Sequence, residues 1–172
     1  MQKELLKITE AEYGQNYRAH CLEIYKLYVT MADNISVRRQ TTNSFFLTIN
    51  TALIAFLGYV KPGIGQYAEY LVWLNTPVGV VLCYCWYRLI RSYRELNSGK
   101  FKVIHAIEQH LPLSPYDAEW ELLGRGKDLR QYLPFTRVEM YVPLVFLSIY
   151  AMTFFIFFPW LYLLSVCWYA LS

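Results

Sequence analysis

The sequence predicts an all-α, multi-pass membrane protein, and three observations carry that expectation. Apolar residues crowd into three blocks, roughly 43–60, 67–87 and 141–172, with the charges between them. Apolar positions outside these blocks recur at helical spacing, and no stretch shows the alternation that marks a half-buried strand. Lysine and arginine are divided unevenly, with six in residues 1–42, one in 61–69 and nine in 88–140. The 172 residues suffice for one domain, and at 56% hydrophobic they exceed the roughly 45–50% usual in soluble chains.

The opening "MQKELLKITEAEYGQ" is polar and charged, so no signal peptide is expected there. From it, "ITEAEYGQNYRAHCLEIYKLYVTMADNI" reads as a long amphipathic helix within residues 1–42. It starts at a Thr9–Glu12 capping box and carries one apolar stripe of Leu22, Tyr25, Tyr28, Met31, Ala32 and Ile35. In "RRQTTNSFFLTINTALIAFLGYV" charge gives way to an uncharged run of membrane length, which ends at "KPGIG". The second run, "YLVWLNTPVGVVLCYCWY", has no charge over 18 residues. Within it Thr76-Pro77 resembles a cap followed by a first-turn proline, so the helix either kinks at Pro77 or starts there and runs to about Leu96. Residues 43–96 are thus expected to be a transmembrane hairpin leading into a basic cytoplasmic helix.

Residues 97–136 read as a cytoplasmic helical segment. "RLIRSYRELN" extends toward Gly99, and "KFKVIHAIEQH" is a short amphipathic helix stopped by "LPLSP". "SPYDAEWELLG" follows with Ser114 as cap, Pro115 at the first position and Gly124 as stop. Residues 137–172 form a third span and a C-terminal apolar segment. That span is expected to begin at a Thr136–Glu139 capping box, with Pro159 bending or ending it.

The positive-inside rule puts the N-terminus and residues 88–140 in the cytoplasm and "KPGIGQYAE" outside. Tyr84, Trp86 and Tyr87 then suit an aromatic belt at the inner surface. Arg38, Arg39, Arg88, Arg91 and Arg94 suit anchors on anionic headgroups.

Signals for chemistry are sparse. Cys83 and Cys85 are two residues apart in an apolar run, which is neither a zinc nor a redox spacing, and the four cysteines read as small buried hydrophobes. His105 and His110, five apart, do not share a helical face, and His20 stands alone; all three read as packed or solvated rather than as metal ligands. No phosphate-binding glycine motif occurs, and "GRGK" at Gly124–Lys127 reads as a surface turn. No nucleophile stands beside a base. The expectation is a protein without catalytic residues, cofactor, metal or small-molecule substrate.

The first span carries the candidate functional residues. Ser44, Thr48, Thr51, Ala55 and Gly58 fall at steps of four, three, four and three, a seam of small residues along one helical line. Such seams let helices approach closely in lipid, within one chain or between copies. Asn43 and Asn50, one heptad apart, are costly to expose to lipid, so they either pack against protein or line an aqueous path.

At "YVTMADNISVRRQTTNSFFLTINTALIAFLGY", "RSYRELNSGKFKVIHAIEQHLPLSPYDAEWELLGRGK" and "YLPFTRVEMYVPLVF" the sequence resembles the RipA-like octameric membrane proteins of bacteria, over most of residues 22–150. In plan it is similar to SLATT-type membrane effectors and to the pore-forming accessory proteins beside some Cas13b CRISPR loci. The resemblance implies a homo-oligomeric ring, an octamer, in the inner membrane, and in some relatives depolarisation during phage defence. A divergent Arg/His nuclease-like motif belongs to the Cas13b-associated branch. Here Arg94 precedes His105 by eleven residues, and no histidine follows Arg130 or Arg137, so the motif is not matched. The expected function is a pore-forming or membrane-perturbing effector. Its partners are further copies of itself, the lipid bilayer and a cytoplasmic protein or RNA-guided effector. The rival readings are a non-conducting scaffold whose cytoplasmic helices recruit a partner and, more weakly, a membrane-tethered nuclease-like enzyme.

Overall fold

Helix dominates the computed structural model, which describes residues 7–59, 66–127 and 135–157. The elements are α1 (Glu10–Tyr13), α2 (Tyr17–Tyr59), α3 (Gln66–Glu108), α4 (Pro115–Leu122), a 3-10 turn at Gly124–Gly126, and α5 (Phe135–Phe157). Among the described residues there is no strand. Pro159, where α5 was expected to bend or end, lies outside them.

The Thr9–Glu12 pairing forms, with the Thr9 N–H and hydroxyl donating to the Glu12 carboxylate at 3.0 and 2.9 Å. The helix it starts is only four residues long, because Gly14 turns to a φ of 87° and ends it. The long helix begins afresh at Tyr17 and continues without interruption to Tyr59.

α3 joins what the sequence divides. It starts at Gln66, so part of the expected outer turn is helical, and it passes through both Pro77 and Gly99 to Glu108. Thr76 caps nothing; its hydroxyl donates back to the Val72 carbonyl at 2.9 Å, inside the helix. α5 begins at Phe135, which puts Thr136 inside its first turn rather than at its cap. Its stretch Arg137–Ile156 has a mean hydropathy of 1.7 and is, among the described residues, the one helix long and apolar enough by itself to cross a membrane. α2 and α3 are longer, but amides and hydroxyls dilute their apolar runs.

The chain divides into two units, residues 1–42 with 89–139 and residues 43–88 with 140–172. In the first, Ala32 and Ile35 of α2 and Ile90, Ile104 and Ile107 of α3 are buried. Of the expected α2 stripe, Ala32 and Ile35 are buried and Tyr25 and Tyr28 half-buried, while Leu22 and Met31 at its edge are exposed. Lys100 covers that edge, with its ammonium 5.1 Å from the Tyr28 ring centroid and 3.7 Å from Met31 Sδ. The second unit buries Phe46, Val72, Cys83, Trp86 and Tyr150 together with Asn50, Asn75 and Thr76. Along α3 the buried positions 72, 76, 79, 83 and 86 step by four, three, four and three, the spacing of a helix packed lengthwise on neighbours.

Candidate functional site: a polar spine and an exposed seam

In the unit of residues 43–88 and 140–172, polar side chains stack inward in layers. Asn43 Oδ1 accepts the indole N–H of Trp86 at 2.8 Å. The Trp86 ring stacks on Phe46, with centroids 5.8 Å apart and planes 9° apart, and packs at 6.0 Å against Phe146. Trp86 is thus part of the core and not of an interfacial belt, whereas Tyr84 is exposed. A tryptophan finds its best place where the indole N–H has a partner, and Asn43 supplies one.

The next layer centres on Asn50, which has no exposed surface. Its Nδ2 donates to the Phe46 carbonyl at 2.8 Å, within α2. Its Oδ1 accepts from two other helices, from the Tyr150 hydroxyl of α5 at 3.2 Å and from the Cys83 thiol of α3 at 3.4 Å. Gly79 makes this layer possible, because a Cβ there would run into the Tyr150 ring. Beyond it, Asn75 Nδ2 reaches the Leu53 carbonyl at 3.5 Å, and Trp73 meets Phe154 edge-on at 5.3 Å. The sequence reading singled out Asn43 and Asn50 but missed Gly79, Asn75, Cys83 and Tyr150. Polar or small residues spaced three and four apart in an apolar run were the available signal.

The small-residue seam lies elsewhere. Ser44, Thr48, Thr51, Ala55 and Gly58 are all exposed, and Ser44, Thr51 and Gly58 each come one residue after Asn43, Asn50 and Leu57, which are buried or half-buried. One residue is about 100° of rotation on a helix. Among the described residues, the seam therefore faces outward. Thr48 turns its hydroxyl back to the Ser44 carbonyl at 2.8 Å, which leaves that face without an unpaired hydroxyl hydrogen at Thr48.

Arginines expected at the headgroups separate into two groups. Arg38, Arg88, Arg91 and Arg94 are exposed, with Arg91 paired to Glu95 at 2.9 Å. Arg39 is not an outward anchor: it is mostly buried and lies 3.2 Å from Glu139 of α5, also mostly buried. An arginine needs that partner once water is removed from it.

In the unit of residues 1–42 and 89–139, a second buried polar group organises its surroundings. Glu108, the last residue of α3, accepts the N–H groups of Tyr116 and Asp117 and the hydroxyl of Tyr25, each at 3.0 Å. Those two amides are orphan donors at the start of α4. Ser114 occupies the cap position, but its side chain makes no capping bond; Glu108 does this work from six residues away. Burial, and then the Glu108 carboxylate beside it, pushes the Tyr25 hydroxyl up to about 12. His105 stands 3.5 Å from Asp117, which also faces Arg125 at 3.6 Å, and His20 bonds the Tyr13 hydroxyl at 2.8 Å. The "GRGK" turn holds Gly124, Arg125 and Gly126 at positive φ, with Gly126 close under Trp120. Among the described residues, no three His, Cys, Asp or Glu side chains converge as a metal site would require.

The model of the octameric membrane protein family matches residues 22–159, which takes in most of both units and all the side chains just described except Tyr13 and His20. No curated protein and no solved structure matches the chain.

Proposed function

The chain belongs to the octameric membrane protein family, and from that premise we propose that it is a multi-pass, ring-forming inner-membrane effector that permeabilises or perturbs the bilayer. One observation carries the multi-pass part. The unit of residues 43–88 and 140–172 buries Asn50, Asn75 and Thr76 beside its aromatic core, while Phe45, Leu74, Val81, Val145, Met152 and Ile156 face outward. In water that arrangement exposes the apolar surface that folding normally hides. In lipid it is favourable, because apolar side chains meet hydrocarbon and the amides find partners inside. All three of its helices thus cross the membrane. The N-terminus and residues 89–139 lie in the cytoplasm, as the lysine and arginine distribution requires.

Copies associate through the exposed seam of Ser44, Thr48, Thr51, Ala55 and Gly58. Its small side chains admit a neighbouring helix, and among the described residues they are exposed. A ring of such contacts closes around an axis, and an effector role follows if that axis conducts. A membrane-disrupting protein of this plan suits defence against phage.

A specific observation favours the rival, a non-conducting scaffold. Asn43 and Asn50 spend their amides inside their own unit, so a ring of closed subunits offers no belt of amides to an axial path. A paired measurement separates the two readings: oligomer size of the detergent-solubilised protein, and membrane potential of expressing cells. The effector reading expects an octamer together with depolarisation. An octamer that leaves both cells and liposomes polarised leaves the scaffold. Orientation is tested separately by external thiol labelling in a cysteine-free background, where a probe at Gly65 should react and one at Ser98 should not.

A further inference from the structure

We infer that the Asn50–Tyr150–Cys83 node is a releasable clasp that holds one subunit's three membrane helices closed, and that opening it admits water to Cys83. The inference rests on the membrane placement of residues 43–88 and 140–172 proposed above. It goes further in assigning those helices a second arrangement and naming the contact that opposes it.

The geometry has the properties a clasp needs. One carboxamide oxygen ties together three helices, receiving the Tyr150 hydroxyl at 3.2 Å and the Cys83 thiol at 3.4 Å. The Tyr150 distance is at the long end for a hydroxyl donor, and interhelical hydrogen bonds in bilayers are weak on average. Such a bond biases an arrangement without making it irreversible. The Tyr150 ring sits on Gly79, where even one methyl group would displace it, so the hydroxyl is delivered to Asn50 by a fixed seat. Cys83 is buried within the node, whereas Cys85, two residues on, is exposed on the outer face of α3. A thiol reacts as thiolate, which a dry apolar site suppresses, so the reactivity of Cys83 reports water entering the node.

The test uses the full-length protein in native membrane vesicles, with Cys21, Cys85 and Cys167 replaced by serine, and an uncharged maleimide as probe. Tyr150→Phe removes the hydroxyl and keeps the ring on Gly79. Losing one such bond should raise the labelling rate of Cys83 by about 3- to 15-fold at unchanged oligomer size. In a parallel chain that retains only Cys85, with serine supplying the donor at position 83, Tyr150→Phe should leave the rate unchanged. An unaltered Cys83 rate overturns the clasp. So does an equal rise at Cys85, which would mean general loosening, or loss of the oligomer, which would make the bond a structural necessity. If wild-type cells never depolarise while Tyr150→Phe still exposes Cys83, the clasp stands and the effector reading falls. If cells depolarise while Cys83 stays at its resting rate, the clasp plays no part in opening and is overturned.

Discussion

Leu27 and Val145 are equally exposed, at 58% and 56%, yet they belong to units that bury different kinds of polar group. The unit of residues 1–42 and 89–139 keeps isoleucines inside, and its charges lie mostly outside. Where it buries carboxylates, three hydrogen bonds meet Glu108 and the Arg39 guanidinium lies against Glu139. The unit of residues 43–88 and 140–172 keeps carboxamides and a thiol inside beside Phe46, Val72, Trp86 and Tyr150, and presents valine, leucine and phenylalanine outward. The difference teaches that burial by itself says little about solvent. What identifies the surroundings is which kind of side chain the fold hides.

The sharpest way to break this comparison is to place the same charge on both exposed residues. Val145→Arg should remove most of the protein from the alkali-resistant membrane fraction, since arginine near a span centre costs about 3 kcal/mol on insertion scales. Leu27→Arg should leave the amount unchanged, because exposed substitutions away from special features stay within roughly 0.5 kcal/mol. Equal tolerance of the two would mean that the outer face of the second unit does not meet lipid.

Next in size is the seam. Thr51→Leu and Ala55→Leu add bulk where one copy has open space, so the isolated chain should fold as before. Overfilling a tight helix contact costs about 1–3 kcal/mol, repeated at every subunit of a ring. Size-exclusion chromatography should show smaller species for both variants. An intact octamer would move the subunit contact to another face.

The two buried polar residues give a finer contrast. Glu108→Ala strands two backbone amides and the Tyr25 hydroxyl, and should lower stability by about 2 kcal/mol in thermal unfolding of the detergent-solubilised protein. Asn50→Leu removes an acceptor in an apolar core whose bonds are weaker, and should cost about 1 kcal/mol. A larger loss at Asn50 would show that the second unit relies on its polar node more than a bilayer-embedded unit should.

The smallest effect is at high pH. The Tyr25 hydroxyl is raised from 10.0 to about 12, so its neutral form is favoured in the folded state. The stability this supplies is fully present below pH 10 and is lost as pH rises through about 12. Spectroscopic titration of tyrosinate should lose a late-ionising group in Tyr25→Phe. An unchanged titration would mean that Tyr25 ionises with the ordinary tyrosines.

Much of the architecture was legible before any coordinates. Apolar periodicity gave helices throughout, the capping box at Thr9 formed, and the lengths and charges of the blocks pointed to a membrane. Breaks were read less well. Thr76-Pro77 and Gly99 look like helix boundaries, yet α3 passes through both; at Pro77, packing along the 72–76–79–83–86 line outweighs local preference. Gly14, by contrast, does break a helix, since the chain there adopts a positive φ.

By itself the sequence determined composition, helical period, the separation of charge from oil and the membership of a family of octameric membrane proteins. It also required that Asn43 and Asn50 avoid lipid. Tertiary structure alone decided the phase. The seam of small residues and the line of amides share one repeat and differ by a single residue, so either could have faced inward. Which one does depends on what lies across from it, and residues far along the chain supply that: Trp86 for Asn43, and Cys83 and Tyr150 for Asn50, the ring of Tyr150 seated on Gly79. In the same way Glu139, read as the end of a local capping box, lies against Arg39 a hundred residues earlier. Period is a property of one helix, but phase belongs to its contacts.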